Sequence, residues 1–300
     1  MRTDGVIEAV DLHVAGAPVR LVTGGVPRLP DVRARLGRRL LAEPWGHAAM
    51  RGAFVDAGPA GPALTPLDAD ALGPLDGRVV LAAASWLWRS GQAGGAPGGD
   101  GWQAIDLETP DGGVRATLRA DGDRSPAVRV GADRPRLEAP GLAGGPEGPV
   151  DLFQTAGLRV AIARLDAPVG LDPGRMLAAS AAIAALAHAL ARDGVAAPDG
   201  WLACARPGGA AGMLEALYWD RDGTLDRLAP FGALAALAAA GGARGGRAPA
   251  PIEVCGPAGI PVRVVPAGDG AFAVEARAFV VAWRRFFADA DDAIEPFVVA

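Results

Sequence analysis

Short apolar runs broken by Gly- and Pro-rich punctuation alternate along this chain with Ala-rich stretches of helical period. Residues 6–10 and 19–23 read as strands, and Gly24-Gly25 with Pro27 as a turn. Residues 31–41 are Arg-rich with apolar positions at helical spacing, which predicts a surface helix. In residues 77–90, Val79, Val80, Ala83, Ala84 and Leu87 form an apolar stripe, and residues 231–240 are almost entirely Ala and Leu. Both read as central helices, each preceded by a strand and a tight turn. That repeated plan in the two halves predicts internal pseudo-symmetry. A third helix is expected over residues 175–193, packed outside a sheet. Residues 92–101 read as a Gly-rich loop, and the Pro/Gly-rich residues 138–149 as the crossover between two domains.

The 300 residues are enough for two domains with cores of their own. The most apolar stretch, residues 177–190, contains His188 and is flanked by Arg175 and Arg192, so it reads as a buried helix and no membrane span is expected. The net charge of −5 favours neither nucleic acid nor an anionic membrane as partner. Cys204 and Cys255 make no disulfide framework, the first residues carry no signal-peptide pattern, and a reducing cytoplasm fits. The sequence has no lysine, so no Schiff base forms through a lysine side chain. Chemistry on an amino acid would run without a cofactor. His13, His47 and His188 are dispersed without metal-site spacing, and no metal is expected.

Two blocks are specific together. The first runs D-L-H-V-A-G-A-P-V-R-L-V-T-G-G-V-P-R-L from Asp11, and the second E-P-W-G-H-A-A-M-R-G-A from Glu43. They resemble the proline racemase family, which includes 4-hydroxyproline epimerases and 3-hydroxyproline dehydratases. That family opens with D-x-H-T-x-G-x-P-x-R-V-V-x-G-G-x-P-x-L and continues with E-P-R-G-H-x-x-M-x-G. Asp11, His13, Gly16, Pro18, Arg20, Gly25, Pro27 and Leu29 match, as do Glu43, Pro44, Gly46, His47, Met50 and Gly52. Trp45 stands where the family has Arg, and Ala17 where Glu is common. The E-T-P-D-G-G-V segment at Glu108 and the C-terminal residues 276–297 extend the resemblance over the whole chain.

The resemblance implies an α/β (α+β) fold of two pseudo-symmetric domains, each a curved mixed sheet around a central helix, with a ligand cleft between them. The domains are expected at residues 1–138 with 278–300, and at 139–277. It implies two catalytic cysteines at helix starts. Here Asp76 occupies the first position, in L-D-G-R where the family has M-C-G-H, and Pro230 the second, in L-A-P-F-G. Pro230 carries no proton and suits the first position of a helix. Asp76 reads either as a helix N-cap or as an acid/base group. Gly77 and Arg78 at the first turn, and Asp226, Phe231 and Gly232 at the second, are the implied substrate-binding positions. Asp226 matches an Asp that contacts the substrate amine, and Phe231 replaces a glycine at the carboxylate. His13, Glu43 and His47 are expected to support the pocket. The literal D-R-S-P at residues 123–126 precedes a strand pattern and is assigned no role.

Replacing a thiol by a carboxyl lowers the reference pKa from about 8.5 to about 3.9, roughly 6 kcal/mol of proton affinity. Two-base racemisation or epimerisation is therefore expected to be lost. Two functions remain open, beside a third reading as a degenerate relative with only a structural role. One is a lyase or isomerase acting on a small cyclic amino or imino acid with Asp76 as its single acid/base. The other is a catalytically inactive binding protein, with a homodimer or an active paralogue as partner.

Overall fold

In the computed structural model the chain divides into two compact units, Met1–Val130 with Arg277–Ala300, and Gly131–Ala276. The structure describes residues 5–47, 49–59, 61–67, 75–94, 97–122, 124–132, 134–142, 149–155, 157–165, 172–206, 213–245 and 250–287, without the side chains of 242–245. The first unit runs β1 (Val6–Val14), β2 (Ala17–Gly24), α1 (Pro30–Leu41), β3 (Arg51–Ala57), β4 (Pro62–Pro66), α2 (Gly77–Arg89), β5 (Gln103–Thr109), β6 (Gly112–Asp121) and β7 (Arg124–Ala132). The second runs β8 (Arg136–Leu142), β9 (Val150–Thr155), β10 (Leu158–Arg164), α3 (Pro173–Arg192), β11 (Gly200–Ala205), β12 (Met213–Asp220), β13 (Leu225–Asp226), α4 (Phe231–Gly245), β14 (Ile252–Cys255), β15 (Pro261–Gly268) and β16 (Ala271–Ala276). The last strand, β17 (Ala278–Phe287), returns to the first unit.

Strand pairing makes the internal symmetry explicit. In the first unit β17 pairs β1 and β1 pairs β2 antiparallel, β2 pairs β3 parallel, β3 pairs β4 antiparallel, β4 pairs β5 parallel, and β5, β6 and β7 follow antiparallel. In the second unit the chain β8-β9-β10-β11-β12-β14-β15-β16 repeats that order of antiparallel and parallel contacts step for step. The helices fall at the same places: α1 and α3 bridge the first parallel pair, α2 and α4 the second.

Each central helix is apolar on all sides because strands surround it. Every residue of α2 from Arg78 to Leu87 is buried, and the helix packs against β1, β2, β3, β6 and β17. In α4, Phe231 and Ala233–Ala238 are buried against strands that include β9, β10, β15 and β16. Runs of alanine suit this place: a methyl group lets a strand approach on every face at no side-chain entropy cost. Outside the first sheet, α1 lays Leu36 and Leu40 on Ile7, Val22, Phe54 and Leu67. Gly37 permits this docking, since a Cβ there would lie 1.9 Å from the Leu67 carbonyl oxygen. Outside the second sheet, α3 lays Ala179, Ile183, Leu186 and Leu190 on Leu152, Ala161, Trp201 and Trp219.

Two expectations change. Residues 138–142 are not linker but part of β8, paired with β9. Pro140 and Gly141, the latter at φ 58°, are taken up by register shifts instead of ending the strand. The buried helix expected over residues 177–190 is buried on one face only: by length and composition alone α3 is apolar enough to cross a membrane, with 33% of its apolar window buried. The residues from 288 onward lie outside the described set, so the expected C-terminal motif is described only through Phe287.

Candidate functional site

Asp76 is the N-cap of α2. Its Oδ1 accepts the Arg78 N–H at 2.9 Å, while the Arg78 guanidinium folds back to give Nε contacts of 2.9 and 3.0 Å to the two carboxylate oxygens. The Asp76 main-chain carbonyl accepts the N–H groups of Val79 (2.9 Å) and Val80 (3.2 Å). One residue thus takes two of the first-turn amides that make a helix start an anion site, those of Arg78 and Val79, beside the ordinary helix bond from Val80. The ion pair is enclosed, with side-chain exposures of 2% for Arg78 and 20% for Asp76. Burial alone would push the Asp76 carboxyl upward. The charge and hydrogen bonds of Arg78, with the charge of Arg51 added, outweigh it and hold the group below its ordinary value. The carboxylate is ionised, neutralised and a weak base.

The start of α4 is built differently. Only the Leu234 N–H is taken by the preceding turn, through the Pro230 carbonyl at 3.1 Å. Among the described residues no acceptor takes the N–H groups of Phe231, Gly232 or Ala233. A Cβ on Gly232 would meet the Thr155 hydroxyl oxygen at 2.8 Å, so the buried Thr155 lies against this turn. Its hydroxyl donates to the Leu158 carbonyl at 3.1 Å and keeps acceptor capacity. Phe231 is 4% exposed and buries its ring within the second unit. Asp226 is also buried, in β13, where it pairs in register with Tyr218.

The remaining predicted residues have visible structural roles. His13 Nδ1 accepts the Gly16 N–H at 3.3 Å across the β1–β2 turn, and its ring stacks on Phe279 with 5.2 Å between centroids. Burial lowers its imidazole below the ordinary histidine value. His13 and Glu43 make no hydrogen bond to Asp76 or Arg78. The His47 carbonyl accepts the Met50 N–H at 2.9 Å. Gly77 is the first residue of α2.

Three residues escaped the sequence reading as site-builders. Arg51 acts on Asp76 through its charge, and the only signal is its place in the M-R-G of the second block. Thr155 is the last residue of β9, in a hairpin that no motif marks. The third is Arg20, matched as a motif letter but not as a partner of Asp11. Its guanidinium binds both Asp11 oxygens at 2.7 and 2.8 Å and donates to the carbonyls of Leu40 and Trp45. That ties the first motif block to the Glu43–His47 segment. Among the described residues no cluster of His, Cys, Asp and Glu is suited to a metal.

No protein-family model matches the chain. Over 146 residues it is 30% identical to the 4-hydroxyproline 2-epimerase of Streptosporangium roseum, a stretch that is 43% of this chain and 43% of the epimerase. The sequence similarity therefore spans less than half of that relative. Two crystal structures share the fold nearly end to end. A probable proline racemase of Agrobacterium radiobacter with bound carbonate superposes with a TM-score of 0.70 at 19% identity, covering 96% of this chain and 94% of its own. A hydroxyproline epimerase of Agrobacterium vitis with bound trans-4-hydroxy-L-proline gives 0.69 at 18%, covering 96% and 93%.

Proposed function

We propose that the chain is a divergent relative of the proline racemase family with Asp76 and Pro230 at the two catalytic cysteine positions, and that it binds a small cyclic amino or imino acid and does not racemise it; the partial sequence similarity and the shared fold support this. The observation that carries this reading is the asymmetry of the two helix starts. The α2 turn is closed on itself by Asp76 and Arg78, whereas the α4 turn offers three amides beside Thr155. A ligand carboxylate fits the α4 turn, where backbone donors and the helix dipole act together. Asp226, four residues upstream, supplies a carboxylate for the ligand amine. The trans-4-hydroxy-L-proline bound by one structural relative is a ligand of this chemical kind, and the carbonate bound by the other is a small oxyanion like its carboxylate.

The reading in which Asp76 serves as the single acid/base of a lyase or isomerase is opposed by its ion pair. A carboxylate neutralised by Arg78 and held below its ordinary pKa is a poor acceptor for an α-proton. Pro230 offers no second group.

The test uses the purified full chain in D2O with L-proline and trans-4-hydroxy-L-proline. The α-proton signal persists without deuterium exchange, while the same ligands raise the melting temperature by mass action. Deuterium entering the α-position would overturn the loss of racemase chemistry. Absence of any ligand-induced shift across proline, hydroxyprolines and pyrroline carboxylates would overturn the binding reading.

A further inference from the structure

The two units fill equivalent spaces beside their central helices differently. Val10 and Asp151 each stand four residues before the end of the strand that enters a hairpin, at Val14 and Thr155. Ile7 and Ala9 pack with α1, so Val10 points to the other face, toward α2. Val150 and Leu152 pack with α3, so Asp151 and Phe153 point toward α4. Trp86 and Ala240 are each the tenth residue of those central helices. In the first unit Trp86 meets Trp283, the register partner of Val10, edge-on with 4.6 Å between ring centroids. In the second unit a methyl group stands in place of that indole, at Ala240. There β8 also shifts register past Asp151, so that Pro140 and Gly141 lie where a paired residue would stand. What remains is a cavity of about 350 Å³, with Asp151, Phe153 and Ala240 as its buried floor and Leu137, Pro140 and Pro149 on its exposed rim.

We propose that this cavity binds a small aromatic primary amine, its ring in the space that Trp86 takes up in the first unit and its ammonium donating to Asp151. The volume lies at the lower end of the ~300–1,000 Å³ of small-molecule sites, and the lining has their usual make-up, apolar walls with one placed polar group. The charge selects the ligand. Asp151 is 4% exposed, and its Oδ1 accepts the Gly141 N–H at 3.0 Å. A carboxylate has about four lone-pair sites and binds charged donors best. A neutral ring would cover the carboxylate without replacing its water, and an anion would be repelled. One carboxylate among apolar walls offers too few oxygens for a hard metal ion. An organic ammonium with an aromatic body suits both the carboxylate and the walls. The site is distinct from that of the proposed cyclic amino acid: Ala240 lies eight residues beyond Gly232, roughly 12 Å along α4 at the usual rise per residue.

The experiment is calorimetric titration of the full chain with tryptamine, its neutral analogue indole-3-ethanol and the anionic indole-3-acetate, with circular dichroism confirming the fold of each variant. Tryptamine binds, and the neutral and anionic indoles bind at least tenfold more weakly. Asp151→Asn, which keeps an acceptor for the Gly141 N–H, weakens tryptamine at least tenfold. Ala240→Trp, which restores the indole of the first unit, abolishes its binding. Gly232→Ala leaves the tryptamine affinity within twofold, whether or not trans-4-hydroxy-L-proline binds at the start of α4. Absence of tryptamine binding at millimolar concentration would overturn the proposal, as would equal binding of indole-3-ethanol or an unchanged affinity in Asp151→Asn. Loss of tryptamine binding in Gly232→Ala would place the amine at the start of α4 and overturn it as well. None of these outcomes bears on the cyclic amino acid, which is read with trans-4-hydroxy-L-proline.

Discussion

A carboxylate and a thiolate at a helix start are both anions, yet they leave the turn in different states. Near a helix N-terminus a thiol becomes a usable thiolate, whereas Asp76 accepts the Arg78 amide and draws the Arg78 side chain over itself. Asp76→Asn isolates the charge, since Asn caps about as well as Asp. With Arg78 nearly buried, loss of its counter-charge should cost about 1–3 kcal/mol, below the ~3–5 kcal/mol of a fully buried pair because Asp76 is partly exposed. Urea denaturation measures it. The sign with pH follows from the lowered folded-state pKa. Asp76 contributes its full stability above the ordinary carboxylate value of about 4 and loses it as pH falls through the folded value. The gap between wild type and Asp76→Asn should therefore be widest near neutrality and close in acid. A gap that is unchanged at pH 3 would mean the ion pair contributes nothing.

Among the elements, the starts of α2 and α4 look alike in sequence and differ in what their amides do. Gly232→Ala probes the second start. The added methyl meets Thr155 at 2.8 Å and displaces it, while Ala gains at most about 1 kcal/mol in helix propensity. The variant should keep its unliganded melting temperature within a few degrees and lose the stabilisation by trans-4-hydroxy-L-proline. A retained ligand shift would separate Thr155 and Gly232 from the site. Both helix starts were legible because Asp76, Gly77, Pro230 and Phe231 announce them. What the amides meet was not, because Arg51 and Thr155 come from strands far away in sequence. The strands were legible in part: β1 reads as a five-residue strand and runs to Val14, because Asp11 is buried against Arg20 rather than ending the strand. Likewise β8 reads as linker because its Pro and Gly are absorbed by irregular pairing, which composition does not reveal.

At the scale of the molecule, one pairing scheme is used twice with separate apolar clusters, so damage to one unit can be read against the other. Arg20 is the position to choose. It is 1% exposed, binds Asp11 with both arms of its fork, holds the Leu40 and Trp45 carbonyls and lies 4.7 Å from the Phe286 ring centroid. Arg20→Met keeps much of the volume but leaves Asp11 buried with Arg284 alone on the strand edge. Breaking such a pair costs about 3–5 kcal/mol, and the cost falls on β1, β2, α1 and β17. Hydrogen exchange followed by peptide should accelerate in those four elements and leave β9, β10, β11 and α3 near wild-type protection, as expected for separately cooperative units. Equal acceleration in both units would mean that the repeated architecture unfolds as one block, with stability shared across the boundary at Val130.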